Sequence, residues 1–363
     1  MISPAPAATP LSASEKRYRL ALNHGLLSAR HFWKLLAVTG SARNIFELSL
    51  TELKNHLSVK TAEKLHQYCL TCDPDEIWEN LPTEIRLAFF ESPDYPDLLR
   101  QIYDPPYVLH WRGKRLWHGR TLGMVGTRRP TPYGIQHTQI IARYLTQQQC
   151  TVISGMALGI DAVAHKETLA AGGMTLAVLG SGLKQPAPRT HLKLFAQLCE
   201  QGMVVSEFPP DFKAKPWTFP LRNRLVSGMS AGLVVTEAAR KSGTLITVDC
   251  AIEQGREVFA LPGPVHSPQS EGTHILIQQG AHLLARPEDI SATLGWQNVP
   301  APEASPLTNT PSGVYEVLSA HPQSVEALAT QSGKNMAEVL SILTELEING
   351  LVEGLPGKLY RKS

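Results

Sequence analysis

Two adjacent arginines follow a glycine directly after an apolar run in the stretch VGTRRPTPYG, residues 125–134. A strand that ends in a glycine turn before a helix often binds phosphate, because backbone N–H groups and the helix N-terminus face the anion. Thr127, Arg128 and Arg129 are therefore candidate phosphate ligands. Two neighbouring guanidinium groups suit a continuous chain of phosphates better than one enclosed nucleotide.

A second glycine-rich loop, SGMALGID at residues 154–161, has the spacing S-G-x-A-x-G. This spacing differs from the G-x-G-x-x-G fingerprint of dinucleotide-binding proteins, and no acidic residue follows at the position that would bind a ribose. The sequence also contains no Walker lysine motif. We therefore expect no bound cofactor.

Basic residues are concentrated between Gly180 and Lys241, where nine Lys or Arg residues stand against four Asp or Glu residues. Within this region the segment 207–225 mixes cations with aromatic rings: Lys213, Lys215, Trp217, Phe219, Arg222 and Arg224. Cations that neutralise phosphates, together with rings on which bases stack, are typical of grooves that bind single-stranded nucleic acid. In the alternative interpretation, the two rings fill the core under a long loop and the arginines are solvated.

Candidate catalytic residues are few. His165 lies one helical turn after Asp161 and could act as a base, but such a histidine more often packs within the protein. Asp161 is explained by its position at a helix start. Glu237 brings no second carboxylate at a useful spacing. Cys69-x-x-Cys72 has no second pair at zinc spacing, so we predict no metal site. We also predict that none of these residues is catalytic.

The bulk composition is that of a soluble globular protein of two or three domains. The chain has 363 residues, 43% hydrophobic and 18% charged, with a net charge of +2. Its N-terminal residues lack the features of a secretory signal, and no run of 18 uncharged apolar residues predicts a membrane span. Five scattered cysteines, an odd number, favour reduced thiols in the cytoplasm.

The central region alternates short apolar runs with helical stretches. The predicted strands are 122–126, 150–155, 173–180, 202–207, 231–237, 256–263 and 281–285. The predicted helices between them are 132–149, 159–171, 190–201, 222–230 and 244–255. This alternation predicts an α/β fold with a doubly wound, mostly parallel sheet of undetermined strand order, which brings the strand-to-helix loops to one edge.

The pattern along the chain divides it into five segments. We predict a disordered segment, a small helical domain (of the SAM or helix-hairpin-helix type), a Rossmann-like domain, a Pro-rich linker and a winged-helix domain, at residues 1–13, 14–90, 91–295, 296–312 and 313–363. In the helical domain, one helical pattern stops at Gly40, and Ser49 or Thr51 caps another helix. The last segment has the winged-helix outline of three short helices and a hairpin.

The predicted winged helix is acidic. Residues 313–363 contain six glutamates and four basic residues, and three of the glutamates lie on the third helix. DNA phosphates would repel a recognition helix with this negative charge. A regulator that binds duplex DNA through this domain is therefore disfavoured, and we expect the domain to contact protein or another subunit.

Taken together, these loops resemble the DprA/Smf family, the DNA-processing proteins of bacterial transformation. The matching strings follow the family's order from about residue 94 to 285: DYPDLLRQIYDPPYVLHWRG, VGTRRPTPYG, SGMALGIDAVAHKETL, TLAVLGSG, SEFPP, FPLRNRLVSGMS, VVTEAARKSGTLITVDCAIEQGREVFALPG and GTHILIQQGA. The resemblance implies an extended Rossmann-like domain that binds single-stranded DNA, forms a homodimer and helps to load the recombinase RecA without catalysing a reaction.

The resemblance also implies roles for individual residues. Arg128 of the G-[ST]-R turn would hold phosphate, and Gly155, Gly159 and Asp161 would shape the pocket. The DNA groove would be lined by residues around the F-P-x-R-N-R string: Lys215, Phe219, Arg222, Asn223 and Arg224. The third loop departs from the family pattern, because Lys184, Ala187 and His191 stand where the family has Asp, Tyr and Asn.

A second resemblance, to nucleotide phosphoribohydrolases of the lysine-decarboxylase-like group, stays open as an alternative. Those enzymes use P-G-G-x-G-T followed by a catalytic Glu. The corresponding stretch here reads ARKSGTL, in which Arg240 and Lys241 replace the double glycine.

Overall fold

The structure, a computed structural model, describes residues 11–115, 117–297, 313–319, 321–348, 351–355 and 357–362. The chain divides into two compact units at residue 300. Most of the predicted disordered segment 1–13 and of the predicted linker 296–312 lies outside the described residues. The first helix begins at Ala13.

The N-terminal region is helical, as the periodicity predicts. Its helices are α1 Ala13–His24, α2 Ala29–Thr39, α3 Ala42–Phe46, α4 Leu50–His56, α5 Val59–Thr71 and α6 Pro74–Glu79. Gly40 ends α2 in the left-handed conformation, with φ +77°, which a residue without Cβ adopts readily. Ser49 caps α4 and forms a capping box with Glu52. Both sequence signals are confirmed.

A nine-stranded sheet forms the centre of the first unit. Its strands are β1 Arg86–Phe89, β2 Val108–Gly113, β3 Thr121–Val125, β4 Thr151–Ser154, β5 Thr175–Val178, β6 Met203–Ser206, β7 Gly232–Val235, β8 Glu257–Ala260 and β9 His282–Leu283. The order is β1-β2-β6-β5-β4-β3-β7-β8-β9. All seven predicted strands are present, as β3 to β9. Each of them is parallel to every neighbour that belongs to this set. The predicted α/β fold class is confirmed.

Two strands were not predicted from the sequence. β1 and β2 pair antiparallel, and β2 joins the sheet antiparallel to β6. The sheet therefore starts at Arg86, before the predicted domain boundary at residue 91. Phe89, Tyr107 and Val108 from this edge share one apolar core with α2, α4 and α5. The helical region thus packs directly on the sheet.

Helices cover both faces of the sheet. They are α7 Asp97–Arg100, α8 Pro132–Gln147, α9 Ile160–Ala170, α10 Leu192–Gln201, α11 Thr218–Gly228, α12 Thr244–Glu253, α13 Glu271–Gln278 and α14 Glu288–Thr293. Successive residues of one strand enter different cores: Met124 packs on one side of β3 and Val125 on the other. This two-sided burial explains why the strands read as continuous apolar runs.

The start of α11 corrects one sequence prediction. We expected a loop over 207–225 and a helix from residue 222, but α11 begins at Thr218. Pro220, the third residue of the helix, is compatible with this start because the first turn needs no intrahelical N–H donor. Phe219 and Arg222 therefore project from a helix, and their spacing decides which side of it each one occupies.

The second unit has the predicted winged-helix outline. Its elements are α15 Val314–Val317, β10 Gln323–Ser324, α16 Val325–Ser332, α17 Met336–Ile348, β11 Val352–Leu355 and β12 Leu359–Lys362. The strands are antiparallel in the order β10-β12-β11. Val314, Leu328 and Leu343 are fully buried in its separate core.

Candidate nucleic-acid interface

A cleft of about 720 Å³ opens at the carboxyl ends of the central strands. It lies where the strand order reverses, because β3 has β4 on one side and β7 on the other. Open α/β sheets bind ligands at such a switch point. The lining comes from the loops after β3, β4 and β7 and from one face of α11: Gly126, Thr127, Arg128, Arg129, Gly155, Ala157, Asp161, Phe219, Arg222, Asn223, Val226, Lys241, Ser242, Gly243 and Thr244.

The loop after β3 is anchored so that its arginines point outward. Thr127 donates its N–H to the backbone oxygen of Glu237 at 2.8 Å. A Cβ on Gly126 would lie 2.6 Å from the side chain of Ile160, so only glycine permits this close approach. Arg128 and Arg129 are exposed. Within the described residues no carboxylate forms an ion pair with either guanidinium, so both charges are available to an anion.

Phe219 lies beside Arg128 in the wall of the cleft. The guanidinium carbon of Arg128 is 6.0 Å from the centroid of the Phe219 ring. Phe219 is half-buried, and its inner edge faces Gly180, where an added Cβ would lie 3.2 Å from the ring. A cation next to a partly exposed ring can hold a phosphate and stack a base at neighbouring positions.

Arg222 lies beneath the cleft, where it connects two strand ends. Its side chain is only 4% exposed. Nη1 donates to the backbone oxygen of Gly155 at 2.5 Å and also to that of Val178. Burial lowers the pKa of Arg222 to about 10. The predicted phosphate ligand is therefore mostly engaged in holding the ends of β4 and β5 together.

The second glycine loop is shaped by Gly159 and Asp161, as the resemblance implies. Gly159 has φ +81°, and a Cβ there would lie 2.2 Å from the backbone oxygen of Thr127. Asp161 Oδ2 accepts from the N–H groups of Gly155 and Ala157 at 3.0 and 3.3 Å. Burial raises the pKa of Asp161. Asp161 thus fixes the backbone of this loop through two hydrogen bonds.

The structure does not bring Arg224 to the cleft. Arg224 follows Arg222 by two positions, and residues at that spacing face different sides of a helix. Its guanidinium forms ion pairs with Glu207 and with Asp104, where Nε is 3.4 Å from Oδ2. This burial replaces the predicted groove contact with a structural role for Arg224.

Lys215 and Asn223 differ in their positions relative to α11, because Lys215 precedes the helix and Asn223 lies within it. Lys215 is exposed, and its backbone oxygen accepts from the hydroxyl of Thr218 at 2.8 Å, which fixes the approach to the helix. Lys215 Nζ lies 5.8 Å from the centroid of the Phe212 ring, outside the cleft lining. Asn223 is half-buried and lines the cleft one turn after Phe219.

The turn after β7 contributes residues that the site prediction omitted. Lys241, Ser242 and Gly243 line the cleft directly before α12. Ser242 Oγ accepts from the N–H of Thr244 at 3.2 Å. A signal was present in the sequence, because Lys-Ser-Gly-Thr before an apolar helix is a phosphate-binding pattern.

The two candidate bases face away from the cleft. His165 is fully buried, its Nδ1 lies 2.7 Å from the hydroxyl of Thr175, and burial lowers its pKa to about 3. The carboxylate of Glu237 is buried at the start of α8, where it accepts from both the N–H and the hydroxyl of Thr131. Both groups are engaged in the fold.

None of the helices in the described part of the chain is long and apolar enough to span a membrane.

Two family models and several known proteins match this chain. The family model for DNA recombination-mediator protein A matches residues 86–295, and the model for the DprA winged-helix domain matches residues 298–358. Protein Smf of Escherichia coli is 40% identical over 283 residues, which cover 75% of this chain and 76% of that protein. DNA processing protein DprA of Bacillus subtilis is 42% identical over 210 residues, covering 57% and 71%.

Two solved structures are similar in fold. The crystal structure of DNA processing protein A from Streptococcus pneumoniae has a TM-score of 0.68 at 29% identity, and covers 78% of this chain and 98% of that chain. The protein from Helicobacter pylori, whose structure describes a single-stranded DNA binding mode, has a TM-score of 0.53 at 28% identity, with 58% and 95% covered. The chain belongs to the DNA recombination-mediator protein A family, also called DprA or Smf.

Proposed function

We propose that the cleft binds single-stranded DNA and that the protein acts as a non-catalytic recombination mediator. The observation that carries this proposal is the set of exposed cations without an ion pair in the described residues, Arg128, Arg129 and Lys241, around the partly exposed ring of Phe219. The open cleft can accommodate a continuous strand. The single-stranded DNA binding described for the Helicobacter pylori relative supports the same ligand.

Competition between DNA forms tests the ligand. Labelled oligo(dT) should be displaced by unlabelled oligo(dT) far more effectively than by a duplex of equal length, because only unpaired bases can stack on Phe219. Free mononucleotides at micromolar concentration should not compete. Displacement by a mononucleotide would favour an enclosed nucleotide pocket.

The non-catalytic role is supported by the placement of His165 and Glu237, which are both buried and engaged in structural hydrogen bonds. Purified protein should therefore show no ATPase, nuclease or nucleotide hydrolase activity. A phosphoribohydrolase would release free base from AMP-type nucleotides. Turnover that disappears in Glu237→Gln would favour that alternative.

We infer that the partners are the recombinase RecA and a second copy of this chain, acting in the cytoplasm. The family's recombination-mediator description and the five free cysteines fit this assignment. RecA filament formation on strands coated with single-strand-binding protein should accelerate when the protein is added. Light scattering should give twice the mass of one chain. If filament formation does not accelerate, RecA is not a partner. If the mass is that of one chain, the protein is not a dimer.

A further inference from the structure

Helix α11 separates the cleft from a second pocket of about 260 Å³. Phe219, Asn223 and Val226 face the cleft, whereas Trp217, Leu221 and Arg224 line the second pocket. The opposite wall is the α1–α2 turn, residues 23–30. We propose that this second pocket binds a nucleobase with an exocyclic amino group, contributed by the strand that occupies the cleft. The proposal rests on the proposed function.

Two buried oxygen atoms in this pocket require a hydrogen-bond donor. Asn23 Nδ2 donates to the backbone oxygen of Glu207 at 2.8 Å, which fixes the orientation of the amide because a carbonyl oxygen can only accept. Asn23 Oδ1 and Glu207 Oε1 are buried and accept no hydrogen bond within the described residues. Buried acceptors without donors destabilise a protein, and a guest with an amino group would satisfy them.

The charges around the pocket favour the same kind of guest. The guanidinium of Arg224 is paired with two carboxylates, those of Glu207 and Asp104, so it is already engaged and is not free to donate to a 4-oxo group. The 4-amino group of cytosine carries two N–H donors. The 4-oxo group of uracil or thymine would place a third acceptor beside two unsatisfied ones. The pocket therefore distinguishes bases by a hydrogen-bond mismatch.

The walls of the pocket are apolar and aromatic, as a flat base requires. Trp217 is 52% exposed, and its ring meets Phe208 edge-on with centroids 6.1 Å apart. Tyr107 is buried in the lining. Pockets that bind small planar groups commonly combine such walls with a few convergent polar atoms.

A path of rings and a cation connects the pocket to the exposed end of α11. Phe208 stacks on Phe212 at 4.8 Å, and Lys215 Nζ lies 5.8 Å from the Phe212 ring. Arg30, also exposed, lines the pocket. Phosphates that follow these cations around the start of α11 would carry one base into the second pocket. This continuity favours DNA over a free metabolite as the source of the base.

Binding of oligo(dC) and oligo(dU) of equal length tests the proposal, because cytosine and uracil differ in the 4-amino or 4-oxo group and in the hydrogen on N3, and neither base carries a methyl group. Wild-type protein should bind oligo(dC) about tenfold more tightly, the effect of one or two additional hydrogen bonds. Leu221→Trp, which fills the pocket, should reduce this ratio to about one. Leu192→Trp, the same change at an exposed site on α10, should retain it.

The ratio is an internal control against general damage, because both strands are measured on the same protein. Trp217→Leu, at a half-exposed position that tolerates change, should also lower the ratio. Equal affinities for both strands in the wild-type protein would overturn the proposal that the second pocket binds a base, but not the proposal that the cleft binds single-stranded DNA. A ratio that persists in natively folded Leu221→Trp and Trp217→Leu would also overturn it. Failure of both strands to bind would overturn the proposed function itself.

Discussion

Arg222 Nη1 donates to the backbone oxygen of Gly155 at 2.5 Å, beneath the floor of the cleft. The approach is so close that a Cβ on Gly155 would lie 2.3 Å from this nitrogen. The pair joins the end of β4 to α11, and a second bond from Arg222 to Val178 adds the end of β5. Gly155 and Arg222, which the sequence predicted as site residues, therefore mainly hold the ends of β4 and β5 and helix α11 in position.

Replacing Arg222 should destabilise the fold. Arg222→Ala removes the donor of two buried carbonyl oxygens, so we expect the free energy of unfolding to fall by about 3 kcal/mol. Urea denaturation measures this loss. Arg128→Ala, at an exposed site in the same cleft, should change stability by less than about 0.5 kcal/mol. If both variants were equally stable, Arg222 would not have the positioning role.

Phe219→Ala should weaken DNA binding without changing its response to salt. A base stacked on the ring contributes about 1–3 kcal/mol. The loss should be the same at low and high salt, because no phosphate contact is removed. Thermal unfolding is the control. If the variant melts early and its binding defect follows the unfolded fraction, Phe219 is a core residue only.

The burial of His165 predicts a pH-dependent contribution to stability. Its pKa is about 3 in the folded protein and about 6.5 when unfolded. The unfolded chain therefore binds the proton first as the pH falls, and stability is lost below about pH 6.5. Relative to His165→Gln, the wild-type free energy of unfolding should decline by about 1.4 kcal/mol per pH unit between pH 6 and 4. A pH-independent difference would show that His165 is accessible.

Deleting residues 297–363 should leave the affinity for single strands within a few-fold of the full chain. The winged-helix domain carries more glutamates than cations, so it should add little binding to phosphate. Equilibrium binding to oligo(dT) measures the effect. A hundredfold loss would show that this domain contacts the DNA.

Local sequence patterns predicted most of the fold. Buried parallel strands read as apolar runs, and Gly40 and Ser49 mark helix ends by their backbone and hydrogen-bonding chemistry. β1 and β2 were missed because they contain charged or polar residues such as Arg86 and His110. Their antiparallel pairing depends on β6, which is distant in the sequence.

The cleft was predicted less completely than the fold. Arg128 and Phe219 lie beside each other, but Arg222 and Arg224, which the F-P-x-R-N-R string assigned to the same groove, face different sides of α11. Their spacing of two residues rules out a shared face of a helix, and the predicted helix 222–230 already contained this constraint. Lys241 was not among the predicted site residues, although it directly precedes Ser242-Gly243-Thr244, a phosphate-binding pattern at the start of α12.

The salt dependence of oligo(dT) binding tests the central claim most directly. Each phosphate contact releases counterions, so losing one should flatten the log–log slope by about 0.7. We expect this change for Arg128→Ala and Lys241→Ala, which line the cleft, and no change for Arg240→Ala, whose side chain is exposed outside the lining. An unchanged slope in Arg128→Ala and Lys241→Ala would contradict phosphate binding in this cleft.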